Sequence, residues 1–176
     1  MNKRLPSREQ ALQLLKHNNC PPQIISHCTA VTDYALDLAA QLETKGQQVN
    51  VDLVEAGGVL HDLGRCKTNT VDHGVVGGQF AEQLGLPQEV VNVIKRHVGA
   101  GITEQEAQAM GWPKDNYMPL TLEEKIVCYA DKRIDKDKKN PIESEIKKLQ
   151  KAGKPEAAER VRRLHLEISK LLGNPP

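Results

Sequence analysis

Apolar residues in this chain recur every three or four positions, and no stretch alternates with period two for long enough to make a strand. The pattern restricts the fold to packed helices. Ser7 with Gln10 reads as a capping box opening a helix through about His17, and the Asn-Asn-Cys-Pro-Pro run ends it. From Pro22 to about Lys45 the stripe Ile24, Cys28, Val31, Ala35, Leu38 and Leu42 marks a longer amphipathic helix, stopped by Gly46. His27 lies beside that stripe, which points its side chain inward. Asn50 caps a third helix, Val51 to Leu63, apolar nearly all round and so expected at the centre, with Gly64 as its C-cap. Gly57 and Gly58 inside it cost about 1 kcal/mol each relative to Ala, which the close approach of another helix would offset. Asp72 opens a fourth helix ending at Gly85, and Pro87 a fifth with the stripe Val90, Val91, Ile94 and Val98. Thr103 with Glu106, and Thr121 with Glu124, give two further capping boxes.

After Asp135 the chain becomes polar. Lys136 to Lys139 reads as a charged linker, and two amphipathic stretches follow from Pro141 and Pro155. The last carries the apolar line Val161, Leu164, Ile168 and Leu171, expected to pack on the body or on a second copy, so a homodimer is an option. The organisation expected is an N-terminal helix (1–21), an all-α single domain (22–135) and a basic helical extension (136–176). The 176 residues suffice for one ordinary core. The formal net charge of +1 conceals an asymmetry: residues 1–131 carry 11 Lys/Arg and 16 Asp/Glu, residues 132–176 carry 13 and 7. Cys20, Cys28, Cys66 and Cys128 form no C-x-x-C pair and read as reduced thiols, buried as small hydrophobes, in a cytoplasmic protein. No run approaches the roughly 20 apolar residues that a membrane span needs. Five aromatic residues offer few platforms for base stacking, which makes nucleic acid an unlikely partner.

Chemistry concentrates in His27, His61, Asp62, His73, His97 and Asp131, which fall on separate predicted helices or at their ends. Successive residues on a helix differ by about 100° in direction, so His61 and Asp62 can both reach an ion beside the helix end. His27 and Asp131 would close its coordination shell, Asp62 could bridge two ions, and His73 and His97 could serve the second from the walls of an open cavity. Imidazole with carboxylate suits Fe, Mn, Co, Ni or Zn, with Mg as a further option. His17 and His165 sit in polar segments and are expected to face solvent.

The order His27, His61-Asp62, Asp131 resembles the H…HD…D signature of the HD superfamily of metal-dependent phosphohydrolases, and His61-Asp62-Leu63-Gly64-Arg65 resembles its HD-[IL]-G-[KR] heart. The likeness covers residues 22 to 135. His73-Gly74 and His97 are similar to the binuclear branch that includes dinucleoside tetraphosphate hydrolases. That similarity stops after His97, where Val98-Gly99-Ala100-Gly101 stands in place of a threonine-rich turn. The resemblance implies a helical bundle, one or two divalent ions, and a phosphate ester or anhydride as substrate, a nucleotide or other small phosphorylated molecule. Asp62 would be catalytic as well as a ligand, with Arg65 first and Lys67 second as partners for phosphoryl oxygens. Lys95 and Arg96 precede His97 and could also meet phosphate, and the run Lys132, Arg133, Lys136, Lys138 and Lys139 after Asp131 could edge the substrate entrance, but solvated cations are the simpler reading for all of them. Two rivals stand beside the hydrolase: a non-catalytic nucleotide-sensing module, and an RNA-acting phosphohydrolase.

Overall fold

A computed structural model describes residues 4–174; the ends of the two flanking segments, residues 1–3 and 175–176, lie outside it. Among the described residues nine helices account for nearly all regular structure: α1 (Arg8–His17), α2 (Pro22–Thr44), α3 (Val51–Leu60), α4 (His73–Gln83), α5 (Gln88–Arg96), α6 (Glu104–Ala109), α7 (Leu122–Arg133), α8 (Ile142–Lys151) and α9 (Pro155–Leu171). Two 3₁₀ turns, Leu63–Cys66 and Val98–Ala100, follow α3 and α5. All three expected capping boxes form, at Ser7, Thr103 and Thr121, each satisfying N–H groups that a helix start leaves unpaired.

α3 is the central element, packed against α1, α2, α5 and α7. Its two glycines explain how the neighbours come so close. A Cβ on Gly57 would sit 2.9 Å from Val93 of α5, and one on Gly58 would sit 2.9 Å from the Thr32 hydroxyl of α2. α3 ends three residues earlier than the periodicity predicts. His61 becomes its C-cap and Asp62 leads into the 3₁₀ turn, so the pair stands just past the helix rather than within it. Gly64 is no left-handed cap either: a Cβ there would collide with the His73 carbonyl oxygen, and Gly77 meets it from the other side. The smallness of Gly64 and Gly77 lets α4 lie directly on the turn that carries Asp62.

Two further expectations need correcting, and one open choice is resolved. The segment after α7 contains a small antiparallel hairpin, β1 (Ile134–Asp135) with β2 (Lys138–Lys139), turned by Lys136 at φ +60°. The apolar line of α9 packs on the body, the first of the two options its sequence left open. Val161, Leu164 and Ile168 are buried in the main core, and α9 packs on α7 and on the Val98–Ala100 turn. Finally, Cys20 and Cys66 are joined in a disulfide with their Cα atoms 4.4 Å apart. The expectation of four reduced thiols came from local spacing, whereas this pair is made by a contact spanning 46 positions. Cys28 and Cys128 are free and buried, as expected. No described helix is long and apolar enough to cross a membrane.

Candidate metal centre

The six residues singled out from the sequence come together in one cluster, its imidazoles held by a recurring device. His61 and His97 are the C-caps of α3 and α5, where the last carbonyls of a helix lack partners. Each imidazole takes one of them: His61 Nδ1–H donates to the Gly58 carbonyl at 2.7 Å, and His97 Nδ1–H to the Ile94 carbonyl at 2.7 Å. His73, at the first position of α4, repeats the three-residue step by donating to Thr70 O at 2.9 Å. His27, early in α2, donates to Lys136 O in the hairpin at 2.9 Å.

A carbonyl only accepts, so all four Nδ1 atoms carry a proton and all four Nε2 atoms are turned into the cluster, toward another imidazole or a carboxylate. His73 Nε2 lies 3.1 Å from His97 Nε2, and these two lie 3.3 and 3.4 Å from Asp62 Oδ1. His61 Nε2 lies 3.8 Å from Asp62 Oδ2 and 3.6 Å from Asp131 Oδ1, which also meets His27 Nε2 at 3.0 Å. The two oxygens of Asp62 thus address different imidazoles. Ligand atoms of His27, His61 and Asp131 lie within 4.8 Å of one another, and so do those of His61, Asp62 and His97.

Such a crowd of acceptors fits a cation and fits poorly without one. His61 Nε2 is fully buried and hydrogen-bonds to nothing among the described residues. Burial pushes His73 down to about 4, with the charge of His97 acting in the same direction, and burial also lowers His97. Near neutral pH both rings are therefore uncharged, lone pair against lone pair. Burial opposes the Asp62 carboxylate, but His61 and His97 hold it well below the usual carboxylate range. Asp131 is held low against the same penalty by Lys132, His27 and His61. His73 and His97 are only 5% and 2% exposed, so they line the cavity from its depth rather than from an exposed wall. The sequence suggested the opposite because it showed helix ends but not the α4–α5 contact that covers them.

The cluster floors a cavity of about 780 Å³ whose far side is built by α8 and α9. Arg65 borders it, its Nε 3.6 Å from Asp62 Oδ1 and its Nη1 donating to Asn69 O at 2.9 Å. Lys67 does not line this cavity; its ammonium lies 4.3 Å above the Phe80 ring. Lys95 and Arg96 pair with Asp115 and Glu124 and so tie down the 115–124 segment. Lys132 and Lys136, read from sequence as part of a solvated linker, both line the cavity, and Lys132 is largely buried against Asp131. Only its position next to Asp131 could have singled it out. His17 is exposed as expected, but His165 is half-buried, accepting from or donating to the Tyr129 hydroxyl at 2.8 Å and stacked on that ring.

The family description "HD domain" matches residues 24–134, the stretch that supplies all six clustered residues. The uncharacterized protein MJ0778 of Methanocaldococcus jannaschii is 44% identical over 166 residues, covering 93% of this chain and 98% of its own length. A tRNA (cytidine(56)-2'-O)-methyltransferase of Picrophilus torridus is 36% identical over 97% of this chain, which spans only about half (49%) of that longer protein. In solved structures, the HD domain of the L. monocytogenes phosphodiesterase PgpH, in complex with cyclic-di-AMP, superposes with a TM-score of 0.57 at 17% identity, covering 93% of this chain and 95% of that one.

Proposed function

The chain belongs to the HD domain family, and from that premise we propose that it is a metal-dependent phosphohydrolase with a binuclear centre. In this reading His27, His61 and Asp131 hold one divalent ion, while His73 and His97 hold a second. Asp62 lies between them, one oxygen toward each set. The observation that carries it is the convergence of four Nε2 atoms, every one freed by a backbone carbonyl that occupies its Nδ1. Bound there, an ion such as Mn, Fe, Co, Ni or Zn supplies Lewis acidity, polarising a phosphoryl oxygen and making water acidic enough to attack near neutral pH.

The chain's own residues do the rest. Carbonyl anchors fix the imidazole tautomers and orientations before any ligand arrives, so little reorganisation remains to be made. Arg65, braced by Asn69, offsets charge that builds on the phosphoryl group. The cavity is of the size that encloses small ligands, which favours a nucleotide phosphodiester or anhydride. The ligand of the PgpH domain is such a molecule.

The test uses protein purified without chelator. Elemental analysis should find a divalent metal, and a panel of nucleotides with bis(p-nitrophenyl) phosphate should be hydrolysed with Mn, Fe, Co or Ni present. His61→Ala should lower turnover by more than the roughly 10–100-fold that losing an outer-shell partner costs. Full activity in that variant, or none in the wild type with any member of the panel, sinks the reading. A second reading takes RNA as the phosphodiester, favoured by the tRNA methyltransferase relative. It requires strongly salt-dependent RNA binding, and the few aromatic residues weigh against it.

A further inference from the structure

Among the cations that border the cavity, most already have work to do. Arg65 braces the 69–70 turn, Arg160 is held through Nη2 by Glu106 at 2.9 Å although its buried Nε has no partner among the described residues, and Lys136, Lys148 and Lys154 stand in solvent. Lys132 differs. It is the next-to-last residue of α7, its side chain is only 12% exposed, and its ammonium meets Asp131 Oδ2. The other oxygen of that carboxylate, Oδ1, is the one that faces His27 and His61. An ammonium carries three donors and Asp131 accepts only one of them. When Asp131 gives its Oδ1 to a cation, Lys132 keeps one hydrogen bond to Oδ2 and points its other donors to the cavity side, where Glu145 is a further carboxylate that acts on it. A buried cation in that state calls for an anion.

We infer that Lys132 is a second phosphoryl-binding residue of this site, beside Arg65: its ammonium receives a non-bridging oxygen of the phosphate that lies over the His/Asp cluster. The inference rests on the hydrolase reading and adds to it a catalytic residue from α7. A compact, rotatable ammonium suits the place, since a phosphate at the cavity floor can be met from one side as a point charge. Asp131 and Lys132, being neighbours on one helix, then divide the labour between the metal and the phosphate.

The experiment measures binding of inorganic phosphate to the zinc-loaded protein by calorimetry, beside metal content and melting temperature. Lys132→Met should keep its metal within twofold of wild type and weaken phosphate binding at least tenfold, and Lys132→Arg should recover part of the loss. Phosphate binding within twofold of wild type in Lys132→Met overturns the inference. So does loss of the metal along with the phosphate, which would make Lys132 merely a support for Asp131. Should that variant fail to fold, lysine-selective ¹⁵N NMR of the unmutated protein decides: the Lys132 ammonium signal moves on phosphate addition, or the inference is wrong. A wild-type protein that holds no metal defeats the hydrolase reading itself, whereas normal metal and turnover with phosphate binding indifferent to Lys132 defeats only this inference.

Discussion

The two sides of the cavity are built by opposite means. On the cluster side every imidazole is pinned to a main-chain carbonyl, and the supporting turn is clamped between Gly64 and Gly77 by backbone contact. On the α8–α9 side the polar groups meet through side chains alone, as in Arg160 with Glu106 or Lys148 with Glu145, and the lysine is 76% exposed. Backbone anchoring fixes position at little entropic cost, while long side chains on a surface gain little from holding one geometry. On the proposed reading, the difference assigns rigidity to the side that does chemistry and adaptability to the side that meets the rest of the substrate.

Perturbing each side should therefore give effects of very different size. Reduction of the Cys20–Cys66 disulfide, which ties the start of α2 to the turn after the cluster, should cost about 4 kcal/mol from loop closure alone. Urea unfolding with and without reductant measures it, and unchanged stability would show that the cluster side is held without the bond. Next comes Gly64→Ala. Its methyl group meets main chain that cannot swing aside, so destabilisation of roughly 3 kcal/mol is expected, with weakened metal retention at His73. A stable, fully loaded variant would contradict the clamp.

The joint between the two sides should respond more weakly, through pH. Burial resists the Glu106 charge, but the Thr103 N–H and Arg160 outweigh it and set this carboxyl below its ordinary 4.5. A lowered folded value means stability that is complete above the unfolded value and lost as pH falls through the folded one. After screening, the contribution should be under about 1 kcal/mol. Melting curves from pH 6 to 3 should show it in the wild type and lack it in Glu106→Gln; identical curves would remove Glu106 from the joint. Smallest of all, Lys148→Ala should leave stability within about 0.5 kcal/mol. A larger loss in thermal unfolding would mean the far wall is firmer than its exposure suggests.

Much of this was readable in the linear chain because it is local. Capping boxes involve residues three apart, the stripes of α2 and α5 follow one helix period, and the paired glycines of α3 announced a close neighbour before α2 and α5 were seen to supply it. The ligand set was legible in the same way, as an ordered set of residue types. What could not be read depends on contacts between distant segments. α3 stops at Leu60 because the His61 ring caps it and α4 presses on Gly64. His73 and His97 are deep because they cover each other, and Cys20 finds Cys66 across the bundle. Lys132, first of a basic run after Asp131, could be read from sequence either as solvated or as edging an entrance, and the choice between them depends on the α8–α9 residues that line the cavity with it.

The chain order of these parts has a consequence for how the protein matures. All six clustered residues precede α8, so a growing polypeptide has produced the whole cluster before the helices that roof the chamber exist. On the proposed reading, an ion can be taken up through an open doorway during translation, and the later arrival of the final two helices then shuts it in.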